Sequence, residues 1–230
     1  MTEYLVQMRL FKEQRDIREF IQPRSWPVLQ LAAGLPRTPA DAALVAWRRM
    51  AERVHYPPRE PFDYHYAEEF VRTRPGIKIF EQQGAALVSD QSFDYWSFPA
   101  ETLAVGVGDC EDCTFLLTSV LRNVLGPTQV YATIGLLEGG GHAWVTVLLD
   151  GVPYRLETTR PPFGASDITR ELPPYEPYFR FNDLVAEELR PGLLEGFGPR
   201  FRVAALKLFA PGRGRDNPSL PNPIRVPLVL

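Results

Sequence analysis

Residues 106–113 read GVGDCEDC and hold both cysteines of the chain, Cys110 and Cys113. The fold turns on this stretch, because a C-x-x-C pair has three chemical uses. It can be a redox dithiol, half of a metal site, or one reactive thiol beside a structural neighbour. Asp109 is a good helix N-cap and Asp112 lies three residues on. Cys113, Leu116, Leu117, Val120, Leu121 and Val124 then recur at helical spacing, and Gly126-Pro127 ends the run. A helix starting at Asp109 puts Cys110 in its exposed first turn and Cys113 on its buried face. The first turn carries the positive end of the helix dipole, which favours a thiolate.

Working outward, three strand-like runs follow: VYATIGLL (130–137), HAWVTVLL (142–149) and VPYRLETT (152–159). Asp150-Gly151 between alternating runs predicts a two-residue hairpin that pairs Leu149 with Val152. Counting outward, Trp144 faces Glu157 and His142 faces Thr159. Ala143, Val145, Val147, Leu149, Val152, Tyr154 and Leu156 form a core face. His142, Trp144, Thr146, Arg155, Glu157 and Thr159 form a more polar one. His142 and Glu157 are thus diagonal neighbours on one face, within reach of each other.

A reactive thiol needs a base, and a base needs an orienting group. The chain has three histidines. His55 and His65 lie in a Tyr- and Pro-rich stretch, whereas His142 opens a strand after three glycines, with Glu157 placed to orient it. Each residue alone has a bland reading: a buried small thiol, a polar strand end, a solvated carboxylate. Their joint placement favours a nucleophile, a base and an orienting carboxylate. The redox reading fits poorly, because antiparallel hairpins follow the helix and Glu111 and Asp112 place two anions beside the thiols. A zinc site would need Cys110, Cys113, His142 and a fourth ligand, and there is no second pair. No metal and no cofactor is expected.

Upstream, Thr38-Pro39-x-Asp41 reads as a helix start, followed by Ala43, Leu44, Trp47, Met50, Ala51 and Val54 at helical spacing until the prolines of YPP (56–58). A short strand is expected near 77–80, a short helix around 181–189 and a strand around 201–209. The prolines after Thr159 and the stretch from Pro211 read as an extended tail. Three regions result: residues 1–90, a helix-and-loop region packed on the core; residues 91–160, the core; and residues 161–230, a proline-rich extension partly completing the sheet.

The chain has 230 residues, 45% hydrophobic, with a net charge of −3. That suffices for a sizeable core and lacks the basic footprint of a nucleic-acid binder. No apolar run approaches a membrane span, and the charged N-terminus lacks the apolar segment of a secretory signal. The expected compartment is the cytoplasm. No motif sets the oligomeric state.

From Tyr95 to Thr159, the segments YWSFPAETLAVGVGDCEDCTFLLTSVLRNVLG, GGGHAWVTV and YRLETT resemble the transglutaminase-like cysteine enzyme superfamily, including its bacterial and phage-type cysteine peptidases. The resemblance implies an α+β, papain/transglutaminase-like core, with the cysteine-bearing helix packed on an antiparallel sheet. It implies Cys110 as nucleophile, His142 as general base and acid, and Glu157 as the third member, where many relatives carry aspartate. It also implies acyl transfer through a thioester on a protein or peptide substrate, by a peptidase, isopeptidase, deamidase or transglutaminase. The backbone amide of Cys110 is the natural first oxyanion donor. Trp96 is the candidate second donor, and Trp144 a shield over the His142–Glu157 pair. The alternatives are a structural or interaction module with little activity, and the C-x-x-C redox protein.

Overall fold

The computed structural model describes residues 5–6, 15–56, 96–106, 108–138 and 140–190. The strands expected near 77–80 and 201–209, the tail from Pro211, and His65 lie outside the described residues.

A short ribbon, β1 (Leu5–Val6) with β2 (Arg15–Asp16), leads into a 3-10 turn at Ile17–Phe20. Asp16 caps that turn through Arg18 N–H, and Glu19 reaches back to the Asp16 amide. Helices α1 (Trp26–Ala32) and α2 (Pro39–Ala51) follow. In α2 the expected proline opens the helix, but the Thr38 hydroxyl bonds the Asp41 carboxylate at 2.5 Å rather than the backbone. Ala42, Ala43, Ala46, Trp47 and Met50 are buried along one side of α2. The Trp47 indole donates to Arg160 O at 3.0 Å, tying α2 to the loop beyond Glu157.

Helix α3 (Pro99–Val105) holds the PAETL run and ends on Gly106 in the left-handed region, φ 75°. Helix α4 (Cys110–Leu121) then begins at Asp109 as expected. The expectation of an amphipathic α4 with an exposed first turn does not hold: all of Cys110–Leu121 is buried. The reason is tertiary. Helices α1, α2 and α3 pack on α4 from one side and the sheet covers the other.

Among the described residues the sheet has six strands in the order β6-β5-β4-β3-β7-β8, every neighbouring pair antiparallel. They are β3 (Val130–Leu137), β4 (Gly140–Leu149), β5 (Val152–Leu156), β6 (Thr169–Arg170), β7 (Tyr175–Phe181) and β8 (Ala186–Glu188). The Asp150-Gly151 turn is as predicted: both residues have positive φ, 51° and 77°, and Leu149 pairs with Val152. The helix-bearing α+β architecture, with the Cys110 helix on an antiparallel sheet, is the one the resemblance implied.

Two expectations about elements are corrected. Strand β5 stops at Leu156, so Glu157 and Thr159 lie beyond the ladder instead of pairing with Trp144 and His142. The segment around 181–189 is not a helix: it holds the end of β7 at Phe181, a turn over 182–185, and β8. Asn182 decides this: its side-chain oxygen accepts the amides of Leu184 and Val185 at 3.0 Å each, an Asx-type turn. Its amide nitrogen donates to Pro127 and Val130 carbonyls, pinning the turn to the end of the α4–β3 connection.

Two apolar clusters fill the interior. One joins α1, α2 and α4 to β4 and β5 through residues such as Trp47, Met50, Leu116, Leu117 and Val145. The other joins Ile17, Phe20, Trp96 and Phe115 to Ala132, Ala143 and Phe181. Cys113 belongs to the first and Cys110 to the second.

Candidate active site

Cys110 opens α4 and is 1% exposed. Its thiol donates to Glu111 Oε2 at 3.1 Å, and Thr158 Oγ1 donates to the Cys110 carbonyl at 3.3 Å. The approach to this turn is held by backbone and side chain together. His55 donates its amide to Gly106 O at 2.9 Å and accepts the Gly108 amide at 3.3 Å. Asp112, expected as a cap residue, instead accepts the buried Ser97 amide at 2.8 Å. Gly108 is required by space: a Cβ there would lie 2.8 Å from Asp112 Cβ and 3.0 Å from Thr102 Cγ2. The His55 side chain is exposed.

Cys113 is chemically distinct from Cys110. Burial pushes its thiol well above the ordinary range, reinforced by the charges of Asp112 and Asp109. Its sulfur lies 3.5 Å from Gly108 O, and the two cysteines do not form a disulfide.

His142, near the start of β4, is 3% exposed, and its Nε2 lies 2.9 Å from Glu157 Oε2. Leaving the ladder at Leu156 lets the longer glutamate side chain turn back to the imidazole. Glu157 is also held by Thr159, whose amide and hydroxyl donate to Oε1 at 3.1 and 2.8 Å. The Tyr175 hydroxyl donates to Oε2 at 2.7 Å. Burial pushes the Glu157 carboxyl up, but the His142 charge and hydrogen bonds from His142, Tyr175 and Thr159 outweigh it, bringing it down to about 2. An Nε2–H donor on His142 leaves Nδ1 as the basic nitrogen. Nδ1 is buried and makes no hydrogen bond among the described residues. His142 and Glu157 are therefore brought together, while the Cys110 thiol is bonded to Glu111 and not to His142.

The expected polar face of β4 is covered. Trp144 is fully buried, lies 6.2 Å from the His142 ring at an interplanar angle of 29°, and donates its indole N–H to Glu171 Oε2 at 2.7 Å. Thr146 donates to the same Glu171 oxygen and is 2.6 Å from Thr133 Oγ1. The Trp144 N–H is thus engaged by Glu171. Trp96 is buried, its ring edge-on to Phe20 at 5.3 Å and to Phe115 at 5.0 Å, in the same cluster as Cys110.

Glu171 and Tyr175 escaped the sequence reading, and Glu111 entered it only as an anion beside the thiols. Glu171 and Tyr175 sit in the proline-rich region read as extension. The alternation within YEPYFRF (175–181) is the signal for a strand there. Nothing local distinguishes Glu111 from an ordinary first-turn carboxylate. A groove of about 500 Å³ between α1 and α3, lined by Pro27, Leu31, Arg53 and Ala104 among others, includes none of Cys110, His142 and Glu157. No helix among the described residues is long and apolar enough to cross a membrane.

No family model matches the chain. No curated protein matches it. Among solved structures, the chain is similar to Legionella pneumophila LapG in its EGTA-treated form, with 18% identity and a TM-score of 0.40 over 74% of this chain and 87% of that one. The calcium-bound form of LapG gives 20% identity and a TM-score of 0.38 over 74% and 88% of the two chains. A third LapG structure gives 18% identity and a TM-score of 0.37 over 81% and 96%. A likeness of this extent leaves function to be argued from the site itself.

Proposed function

We propose that this protein is a cysteine-dependent acyl-transfer enzyme acting on a protein or peptide, with Cys110 as nucleophile, His142 as base and acid, and Glu157 as orienting carboxylate. The observation that carries this reading is the buried His142 Nε2–Glu157 Oε2 pair at 2.9 Å, which leaves Nδ1 unpartnered among the described residues. A buried imidazole with one nitrogen fixed by a carboxylate and the other open is arranged to move a proton. In the reaction, the Cys110 thiol exchanges Glu111 for His142 Nδ1 and passes its proton there. The sulfur attacks the carbonyl carbon, and the C–N bond breaks as His142 returns the proton to the leaving amine. Water then adds to the thioester with His142 as base, releasing the acid and restoring the thiol; an amine in place of water gives transamidation. The Cys110 amide, at the first turn of α4, is the candidate first donor to the developing oxyanion, and Trp96 is the candidate second donor.

Iodoacetamide labelling across pH, mapped by mass spectrometry, tests this. Cys110 is expected to react well below pH 8 and to be slowed by His142→Ala, with Cys113 inert in the folded protein. Equal labelling of both cysteines, or of neither, would overturn the reading. The second reading, a binding module of the same fold with little activity, draws on one observation: the Cys110 thiol is buried and bonded to Glu111. It predicts that His142→Ala leaves the labelling rate unchanged. A redox dithiol is disfavoured by the raised pKa of Cys113.

A further inference from the structure

We infer that Tyr175 is a positioning residue of this site, acting through Glu157 to hold His142 as the Nε2–H tautomer with Nδ1 as its basic nitrogen. The inference rests on the reading of His142 as base. It begins from a geometric need. Glutamate has one more rotatable bond than aspartate, so a single hydrogen bond to His142 leaves its carboxylate free to swing and turn. Here each oxygen has a second constraint. Oε1 is held twice by Thr159, and Oε2, the oxygen that meets the imidazole, is held by the Tyr175 hydroxyl at 2.7 Å. Without Tyr175, the only remaining hydrogen bond to Oε2 among the described residues is the one from His142 itself.

Tyr175 is in turn clamped. It is the first residue of β7, paired with Leu137 of β3. Its ring meets Trp144 edge-on at 5.2 Å and lies 6.2 Å from the His142 ring. The Arg155 guanidinium covers its face at 4.0 Å from the centroid. The hydroxyl is therefore delivered from a rigid strand and fixed by neighbours on β4 and β5, as a supporting residue must be to orient another group. Burial and the Glu157 charge both push the phenol pKa up, so the hydroxyl keeps the proton it donates. Glu157 follows β5 and Tyr175 opens β7, strands on opposite sides of β4 in the sheet, so the hydrogen bond also joins the two flanks of the site.

The test is a double-mutant cycle read in two ways. Iodoacetamide alkylation of Cys110 at neutral pH is measured for the wild type, Tyr175→Phe, Glu157→Ala and the double variant. Tyr175→Phe removes only the hydroxyl and is expected to slow alkylation about tenfold, the size typical of a partner that orients a histidine. In the Glu157→Ala background the same change is expected to have no further effect, because the path runs through Glu157. An equal effect in both backgrounds would mean a purely structural role and overturn the inference. So would no effect in the wild type. The second readout is ¹⁵N NMR of the imidazoles, with His142 assigned by His142→Ala. The wild type is expected to show His142 as the Nε2–H tautomer and Tyr175→Phe a mixture. An unchanged tautomer overturns the inference. If alkylation of the wild type is indifferent to His142→Ala, the enzyme reading fails, while the NMR result still decides whether Tyr175 orients His142.

Discussion

The Cys110 thiol donates a hydrogen bond to the carboxylate of its own sequence neighbour, Glu111 Oε2, at 3.1 Å, and both side chains are buried. This contact places an anion where thiolate charge must develop, and it occupies the proton that His142 would accept.

Replacing that anion with a neutral amide should release the sulfur. Glu111→Gln keeps the shape and removes the charge. It is expected to raise the alkylation rate of Cys110 near neutral pH by about 3–10-fold, the scale of one removed neighbouring charge. The rates of wild type and variant across pH 6–8 check this. A slower variant would mean that Glu111 supports the nucleophile instead of restraining it.

The Glu157 carboxyl, lowered from 4.5 to about 2, makes a stability statement. A depressed pKa contributes stability above the unfolded-state value and loses it as pH falls through the folded one. The stability gap between wild type and Glu157→Gln should therefore be steady above about pH 4.5 and shrink between there and about pH 2. Urea unfolding at pH 7, 5, 4 and 3 measures it. A gap that does not change over this range would show that Glu157 is not held ionised by its partners.

Gly135 on β3 pairs with His142, where β7 shifts register beside it. A Cβ at this position would run into the Glu176 carbonyl oxygen and lie 2.8 Å from Trp144 Cη2. Backbone cannot yield as a flexible side chain does. Gly135→Ala is expected to destabilise the fold by about 3 kcal/mol, in the range of overpacked sites, and to displace Trp144 from Glu171. Thermal unfolding and Trp fluorescence read these two effects. A variant as stable as the wild type would contradict the close packing of β3 on β7.

Most of the frame around the site is legible from local pattern. Asp109 starts α4, the turn at Asp150-Gly151 sets the register of β4 and β5, and the end of that ladder at Leu156 leaves Glu157 next to His142. These features depend on residues close in sequence, where capping, periodicity and turn chemistry act directly. The features that escaped depend on distant segments. Cys110 is buried in an apolar cluster that includes Phe20 and Trp96, which nothing near GVGDCEDC announces. The links from Tyr175 to Glu157 and from Glu171 to Trp144 cross the sheet from a region whose prolines suggested an extension. Asn182 was read within a helical stretch because its hydrogen bonds to Leu184 and Val185 compete with a helix only once its amide is anchored at Pro127 and Val130.

The packing of Phe20 bears on how such a site can be switched on. Its ring lies 5.3 Å from Trp96 and Phe98 and 5.5 Å from Phe115, and Gln22 N–H donates to Ser119 Oγ on α4 at 2.9 Å. Many hydrolases are stored as precursors and released by clipping off a leading segment. Here a cut that carried away Ile17 and Phe20 would remove two members of the apolar cluster that includes Cys110. Residues 17–22 are thus part of the packing around α4, and a cut at this end that spares the fold would have to stop short of them.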